Sequence, residues 1–268
     1  FAEGETALLA GKDAAEPEAC FGWSLLHLAS AIEGLAQDFY RYGATTPGTP
    51  AAARLLGMDT AAPPVPANPH PETLRYADLR QVLGSFRARL AAAQMGFECA
   101  GAAGADFVAP IDVLAVRLDL DGDSQTAAGD TLGAFLTPLF GELGLDSGDT
   151  VLDEKARSKG VIPAAADSTI GFDAADAIWL AGYSQILGAS LDLVLAHDFE
   201  DFFDAYLHRV FPGAGLPMQP YASGGMLMLD PDNDAEIADI VAAIHTLNFP
   251  VIDKALLASI PDQLKRAT

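Results

Sequence analysis

Three long runs of this chain repeat apolar side chains at spacings of three and four residues, and that periodicity commits most of it to helices. In residues 17–42 the repeating positions are Phe21, Leu25, Leu28, Ile32, Leu35 and Phe39, and in 76–95 they are Leu79, Val82, Leu83, Phe86 and Leu90. In 173–197, Ile178, Trp179, Tyr183, Ile186, Leu187, Leu191, Val194 and Leu195 cover more than one face, which predicts a helix in the centre of a bundle. Pro17 suits the first position of its helix, with Glu16 and Glu18 at the positive end, and Gly43 marks the stop. Gly22, Ala29, Ala31 and Ala36 leave room for another helix to approach closely. Shorter helices are expected over 3–12, 199–211 and 234–247, with a last one from Ile252 that Pro261 interrupts. Residues 43–72, 96–106 and 212–225 read as Pro-, Gly- and Ala-rich loops, the second carrying Cys99, and 144–167 as irregular. Met226, Leu227, Met228 and Leu229 read as a brief strand or a pocket lining.

Ser168-Thr169-Ile170-Gly171-Phe172 reads as a short strand whose partner is the apolar run just before or within the acidic stretch at residue 119. Asp173, with Asp176 three residues on, has the pattern of a reciprocal helix cap. The chain has 268 residues, half of them hydrophobic, enough for one large core. Its net charge of −22 repels phosphate backbones, which argues against nucleic acid as a partner. Asp, His, Gln or Gly interrupts each apolar stretch before about 20 residues accumulate, so no membrane span is expected. Cys20 and Cys99 are compatible with one bridge in an exported protein or two thiols in a cytoplasmic one. The arginines Arg75, Arg80, Arg87 and Arg89 lie along one predicted helix and are expected to pair with the acidic surface.

The residues with the most specific chemistry run from Asp119 to Asp130. Asp119, Asp121, Asp123 and Asp130 stand at positions 1, 3, 5 and 12 of a twelve-residue loop. Calcium takes six to eight oxygens, and alternate residues of a tight loop can point theirs at one centre. Val113, Leu114, Val116 and Leu118 lead in, and 131–143 reads as a helix leading out, kinked at Pro138. This stretch resembles the EF-hand family. The resemblance implies a calcium site, able also to take magnesium, formed by Asp119, Asp121, Asp123, the Gln125 carbonyl and Asp130. The chain departs from the family pattern at Ser124 in place of the turning Gly, with Gly122 two residues early. It departs again at Ala127 in place of an oxygen donor, and at Asp130 in place of the longer Glu. Such a loop binds more weakly or takes oxygens from elsewhere, and Asp173 and Asp176 are the candidates. Millimolar calcium outside the cytoplasm would fill it, which favours a periplasmic or secreted location; Phe1 in place of Met fits removal of a leader.

Asp230, Asp232 and Asp234 repeat the alternating spacing but Val241 falls where the twelfth ligand would be, so they read as a helix start. The first two helices resemble one tetratricopeptide unit, without a second copy. The order Phe172-Asp173, Asp176, Trp179-Leu180, Gly182-Tyr183 is similar to that in bacterial helical proteins of unknown function, which implies no activity. Among His27, His70, His197, His208 and His245 no pair has the four-residue spacing of a zinc helix, and no phosphate loop or Gly-x-Ser-x-Gly is present. Enzymatic activity is therefore not the favoured reading.

The expected fold is mostly α, an irregular multi-helix bundle with an EF-hand-like loop and one very short β-bridge. It is a single domain over 1–268, with a looser hairpin and strap over 1–60, the loop unit over 111–143 and a helical core over 168–268. The expected function is that of a non-catalytic calcium-binding exported protein. The ion is structural, and the helical surface binds a partner protein or envelope component. One alternative is a periplasmic carrier of a small apolar ligand, with a closed cavity among the 173–211 helices. A second is a metal-dependent hydrolase, in which His197-Asp198 resembles the pair of metal phosphohydrolases and a second ion is required.

Overall fold

A computed structural model describes residues 1–44, 68–102, 105–123, 169–221 and 234–267. Among them are helices α1 (Ala2–Asp13), α2 (Pro17–Arg41) and α3 (Tyr76–Ala100), then strands β1 (Ala109–Asp112) and β2 (Thr169–Phe172). Helices α4 (Ala174–Leu195), α5 (Glu200–Tyr206), α6 (Asp234–His245) and α7 (Lys254–Arg266) follow. The fold is mostly α, as its periodicity demands. Pro17 opens α2, and the helix closes in a Schellman turn. The Ala44 amide donates to Phe39 O at 2.8 Å and the Gly43 amide to Tyr40 O at 2.8 Å. Gly43 sits at φ 66°, and a Cβ there would also meet Pro71 at 2.7 Å, so only glycine serves.

Helix α3 is the shared wall: α2 packs along one side of it and α4 along another, with α1 on α2 and α7 on α4. Its two ends feed different cores. Leu79 and Val82 join Tyr42, Leu74, Phe203, Phe211 and Leu216. Ala93, Phe97 and Ala100 join Cys20, Phe21, Ala177 and Ala181, where the Phe21 ring also meets Phe97, Phe107 and Phe172 at 5.3–5.7 Å. Residues 96–100 were expected in a loop. They continue α3 because Gly96 is a contact rather than a break: a Cβ there would lie 2.0 Å from Ser24 Oγ. The same approach carries Cys99 to Cys20, and the two form a disulfide with Cα atoms 5.9 Å apart.

Between the two cores lies a polar layer. Asp192, almost fully buried, accepts from Arg87 Nε at 2.8 Å, from Arg87 Nη2 at 2.9 Å and from Gln263 Nε2 at 2.8 Å. Gly188, one turn earlier on α4, leaves space for the Arg87 guanidinium. Arg80 donates to Leu195 O at 2.6 Å and His197 O at 2.8 Å, satisfying carbonyls at the C-terminus of α4. Of the four arginines, Arg75 and Arg87 pair with carboxylates, Asp78 and Asp192, while Arg80 and Arg89 bond to backbone carbonyls. Among the described residues, the pairing expected with the acidic surface holds for Arg75, whereas the partner of Arg87 is buried.

The prediction of α4 as a wholly buried helix is corrected. Its inward face is Ala177, Ala181, Ser184, Gln185, Gly188, Ala189 and Asp192. Small side chains let α4 lie close on α3, and Asp192 must face Arg87; Trp179 is turned outward at 59% exposure, while Ile178, 60% exposed, lies beside Gly101 at the end of α3. Trp179 and Tyr183, expected in the core, stack on each other on this outer face. By length and apolar content alone, α2 and α4 would each be long enough to cross a bilayer. Pro261 does not end the last helix. Pro261 is exposed, and α7 is held on α4 through Gln263.

Strands β1 and β2 pair antiparallel with Ala109 opposite Phe172 and Asp112 opposite Thr169. The expected partner was the apolar run Val113–Leu118; the strand that pairs is instead Ala109–Asp112, immediately ahead of it, because Val113–Ala115 turns into a short 3-10 helix capped by Asp112. The expectations for 45–67, 124–168 and 222–233, including the strap, the helix with Pro138 and the Met226–Leu229 run, lie outside the described residues.

Two consequences can be measured. Asp192→Ala leaves a largely buried guanidinium without its anion and should cost about 3–5 kcal/mol in urea unfolding; the double change Arg87→Met, Asp192→Leu should cost far less. The disulfide closes a separation of 79 residues. By the chain-entropy relation its loss in Cys20→Ser, Cys99→Ser should lower stability by about 4–5 kcal/mol in the same assay.

Candidate functional site

The acidic loop begins on a segment pinned to α2. Leu118 and Leu120 alternate inward and are buried, so Asp119 and Asp121 are directed away from the core. Two polar side chains of α2, one helical turn apart, hold the backbone of Asp119. Its amide donates to Glu33 Oε2 at 2.8 Å, and its carbonyl accepts from Gln37 Nε2 at 2.7 Å. The chain then turns at Gly122, whose φ is 75°. Gly122, two positions ahead of the place where the EF-hand pattern turns, takes the left-handed conformation that glycine enters without a steric penalty. The Gly122 amide donates to Asp119 Oδ1 at 2.8 Å and the Asp123 amide to Asp121 Oδ1 at 3.3 Å.

This geometry brings one oxygen from each of Asp119, Asp121 and Asp123 within 4.8 Å of the others. Two oxygens bound to one calcium, each at about 2.3–2.6 Å, are separated by no more than about 5 Å. The donor set is all carboxylate, which suits a hard cation rather than a soft one. The three residues therefore fit calcium by chemistry and by spacing. Gln125 and Asp130 lie outside the described residues. Asp173 and Asp176 are not brought to the cluster. Asp173 Oδ1 accepts from the Ala175 and Asp176 amides, and Asp176 Oδ2 accepts from the Asp173 amide at 3.0 Å, a complete capping box. The strand register explains the separation: Asp173 follows the Ala109 end of the ladder, whereas the chain runs to Asp119 from the Asp112 end.

Glu33 and Gln37 were not singled out in the sequence. Their only signal is a polar pair four residues apart on α2, which carries several other polar residues. Burial, and then the charge of Asp119, raise the Glu33 carboxyl above its ordinary value, while its hydrogen bond to the Asp119 amide opposes them.

Histidines fall in two other environments. His197 Nδ1 lies 2.7 Å from Leu193 O; since a carbonyl only accepts, Nδ1 carries the proton. Asp198 accepts from the Glu200 amide, and among the described residues no three-ligand group forms at His197. His208 is fully buried, its Nε2 donating to Asp239 Oδ2 at 3.1 Å, and Asp239 also accepts from Arg209 Nε at 2.5 Å. Desolvation lowers the His208 pKa, against the pull of Asp239. This cluster joins α6 to the turn after α5, and within it His208 Nδ1 and Arg209 Nη2 are buried without a hydrogen-bond partner among the described residues, although Arg209 Nη2 forms an ion pair with Asp239 Oδ2.

A cleft of about 740 Å³ opens where α2, α3 and the end of α4 meet α5 and the 246–250 segment. Phe39, Leu83, Leu193, Phe202 and Phe249 are among its walls, and among the described residues His197 is the one polar residue that lines it. It is open rather than the closed cavity expected of a carrier.

No family model, no curated protein and no solved structure matches this chain.

Glu33→Gln keeps an oxygen for the Asp119 amide and removes the charge. A carboxyl raised on folding carries a penalty that is absent below its ordinary value of 4.5 and complete above its raised one. In chelator, Glu33→Gln should therefore melt higher than the native chain at neutral pH, and the difference should close near pH ~4, measured by calorimetry across that range.

Proposed function

We propose that this chain is a non-catalytic calcium-binding protein of an oxidising compartment, periplasmic or extracellular. Its ion is structural, and its helical surface binds a partner protein or an envelope component. One observation carries the reading: Asp119, Asp121 and Asp123 converge on one point from a loop whose backbone α2 holds on both sides. The Gln125 carbonyl and Asp130 complete the ligand set in this reading. The ion would gather carboxylates that otherwise repel one another and would fasten the segment after β1 to α2. The Cys20–Cys99 disulfide supports the compartment, since such bridges persist where thiols are not kept reduced. The exposed Ile178, Trp179 and Tyr183 support a protein-binding surface.

Calcium titration by calorimetry on chelator-treated protein tests this, with a melt at each end. A ligand present at about 100 times its Kd and bound only to the folded state adds about 2.7 kcal/mol. Heat and a raised Tm are expected with calcium, more weakly with magnesium, and neither in Asp121→Ala. No heat and no shift in the native chain would reduce the loop to an acidic turn.

A further inference from the structure

We propose that the cleft beside His197 is a binding site for a small neutral apolar molecule carrying one hydroxyl, a long-chain alcohol or a molecule of that chemistry. The inference does not depend on the metal loop. At about 740 Å³ the cleft falls within the range of small-molecule sites, roughly 300–1,000 Å³, and like them it is apolar with few polar groups. Its concavity favours a small molecule over a flat protein partner. Phe249, 40% exposed, forms one lip and meets Phe202 edge-on at 5.8 Å. The segment bearing it is tied down on its far side by the His197–Val251 bridge and by the Asp198 amide donating to Pro250 O at 2.8 Å.

Charge and hydrogen bonding decide the head of the ligand. Arg80, beside His197, is spent on the Leu195 and His197 carbonyls, and its guanidinium lies over the Tyr76 and Phe199 rings. The neighbouring Asp198, Glu200, Asp201 and Asp204 are acidic, as is the protein as a whole at −22. A carboxylate or phosphate head is therefore disfavoured. His197 supplies the polar contact. Leu193 O fixes a proton on Nδ1, which leaves Nε2 as the acceptor of the neutral ring. A hydroxyl meets that need by donating to Nε2, with its chain along Leu193, Phe202 and Phe249.

The test uses the full chain and the neutral fluorophore N-phenyl-naphthylamine, displaced in turn by dodecanol, dodecanoate and dodecyltrimethylammonium. Fluorescence should rise with the protein, and dodecanol should displace the probe at the lowest concentration. Leu193→Glu, at a half-exposed position that should keep its circular dichroism, should abolish probe binding; Phe249→Ser serves as a second cleft variant. His197→Phe should weaken dodecanol about tenfold, the worth of one hydrogen bond, and leave probe affinity unchanged. Probe binding indifferent to both cleft variants would overturn the site. Preferential displacement by dodecanoate or by the ammonium, or a dodecanol affinity unchanged in His197→Phe, would overturn the assignment of the ligand.

Discussion

The bidentate pair of Arg87 with Asp192 organises the middle of this bundle. A carboxylate buried that deeply needs its charge matched and its oxygens bonded, and Arg87 and Gln263 together do both. The requirement decides how α4 is rotated. With Asp192 turned to α3, the residues one, two and three turns earlier on the same side are Gly188, Gln185, Ser184 and Ala181, and Trp179 and Tyr183 face outward. Gln263 then draws α7 onto α4. A polar contact of three side chains thus sets the arrangement of three helices and separates two hydrophobic clusters that a simpler bundle would have merged.

Helix α2 is held at both ends by features far away in sequence. Near its start Cys20 is bonded to Cys99, and one turn on, Ser24 packs against Gly96 of α3. Toward its end Glu33 and Gln37 hold Asp119. The acidic loop is therefore attached to a helix that is itself covalently fixed to the wall of the bundle. This arrangement gives three neighbouring carboxylates a defined geometry without an ion, at the cost of a raised Glu33 carboxyl. Burial is the main cause of that rise, and a cation at the cluster would act against the smaller part that comes from the charge of Asp119.

The cleft arises from the same economy. Helix α4 ends beneath Arg80, the chain reverses through His197, and the short α5 cannot cover the apolar walls left by Phe39, Leu83 and Leu193. Phe202 and Phe249 close part of the opening. The fold so leaves an apolar concavity with one histidine at its edge, sharing only α2 with the acidic loop, through Phe39 on one side and Glu33 and Gln37 on the other.

Much of the fold was legible in the chain alone. The three- and four-residue spacings in 17–42 and 76–95 determine helices whatever surrounds them, Pro17 and Gly43 mark the ends of one, and Asp173 with Asp176 caps another through bonds that span three residues. The alternating aspartates at 119, 121 and 123 likewise meet because a short loop can hardly keep them apart. What tertiary structure alone decided are the contacts between segments distant in sequence. Gly96 reads locally as a break and is in fact the point where two helices touch. Large apolar residues on α4 read as core and are displaced by one buried ion pair. Glu33 and Gln37 are unremarkable until Asp119 arrives beside them. Local propensity sets where a helix forms, but its rotation and its neighbours depend on matching buried charge and on how closely two backbones can approach, and neither is written in any single stretch of sequence.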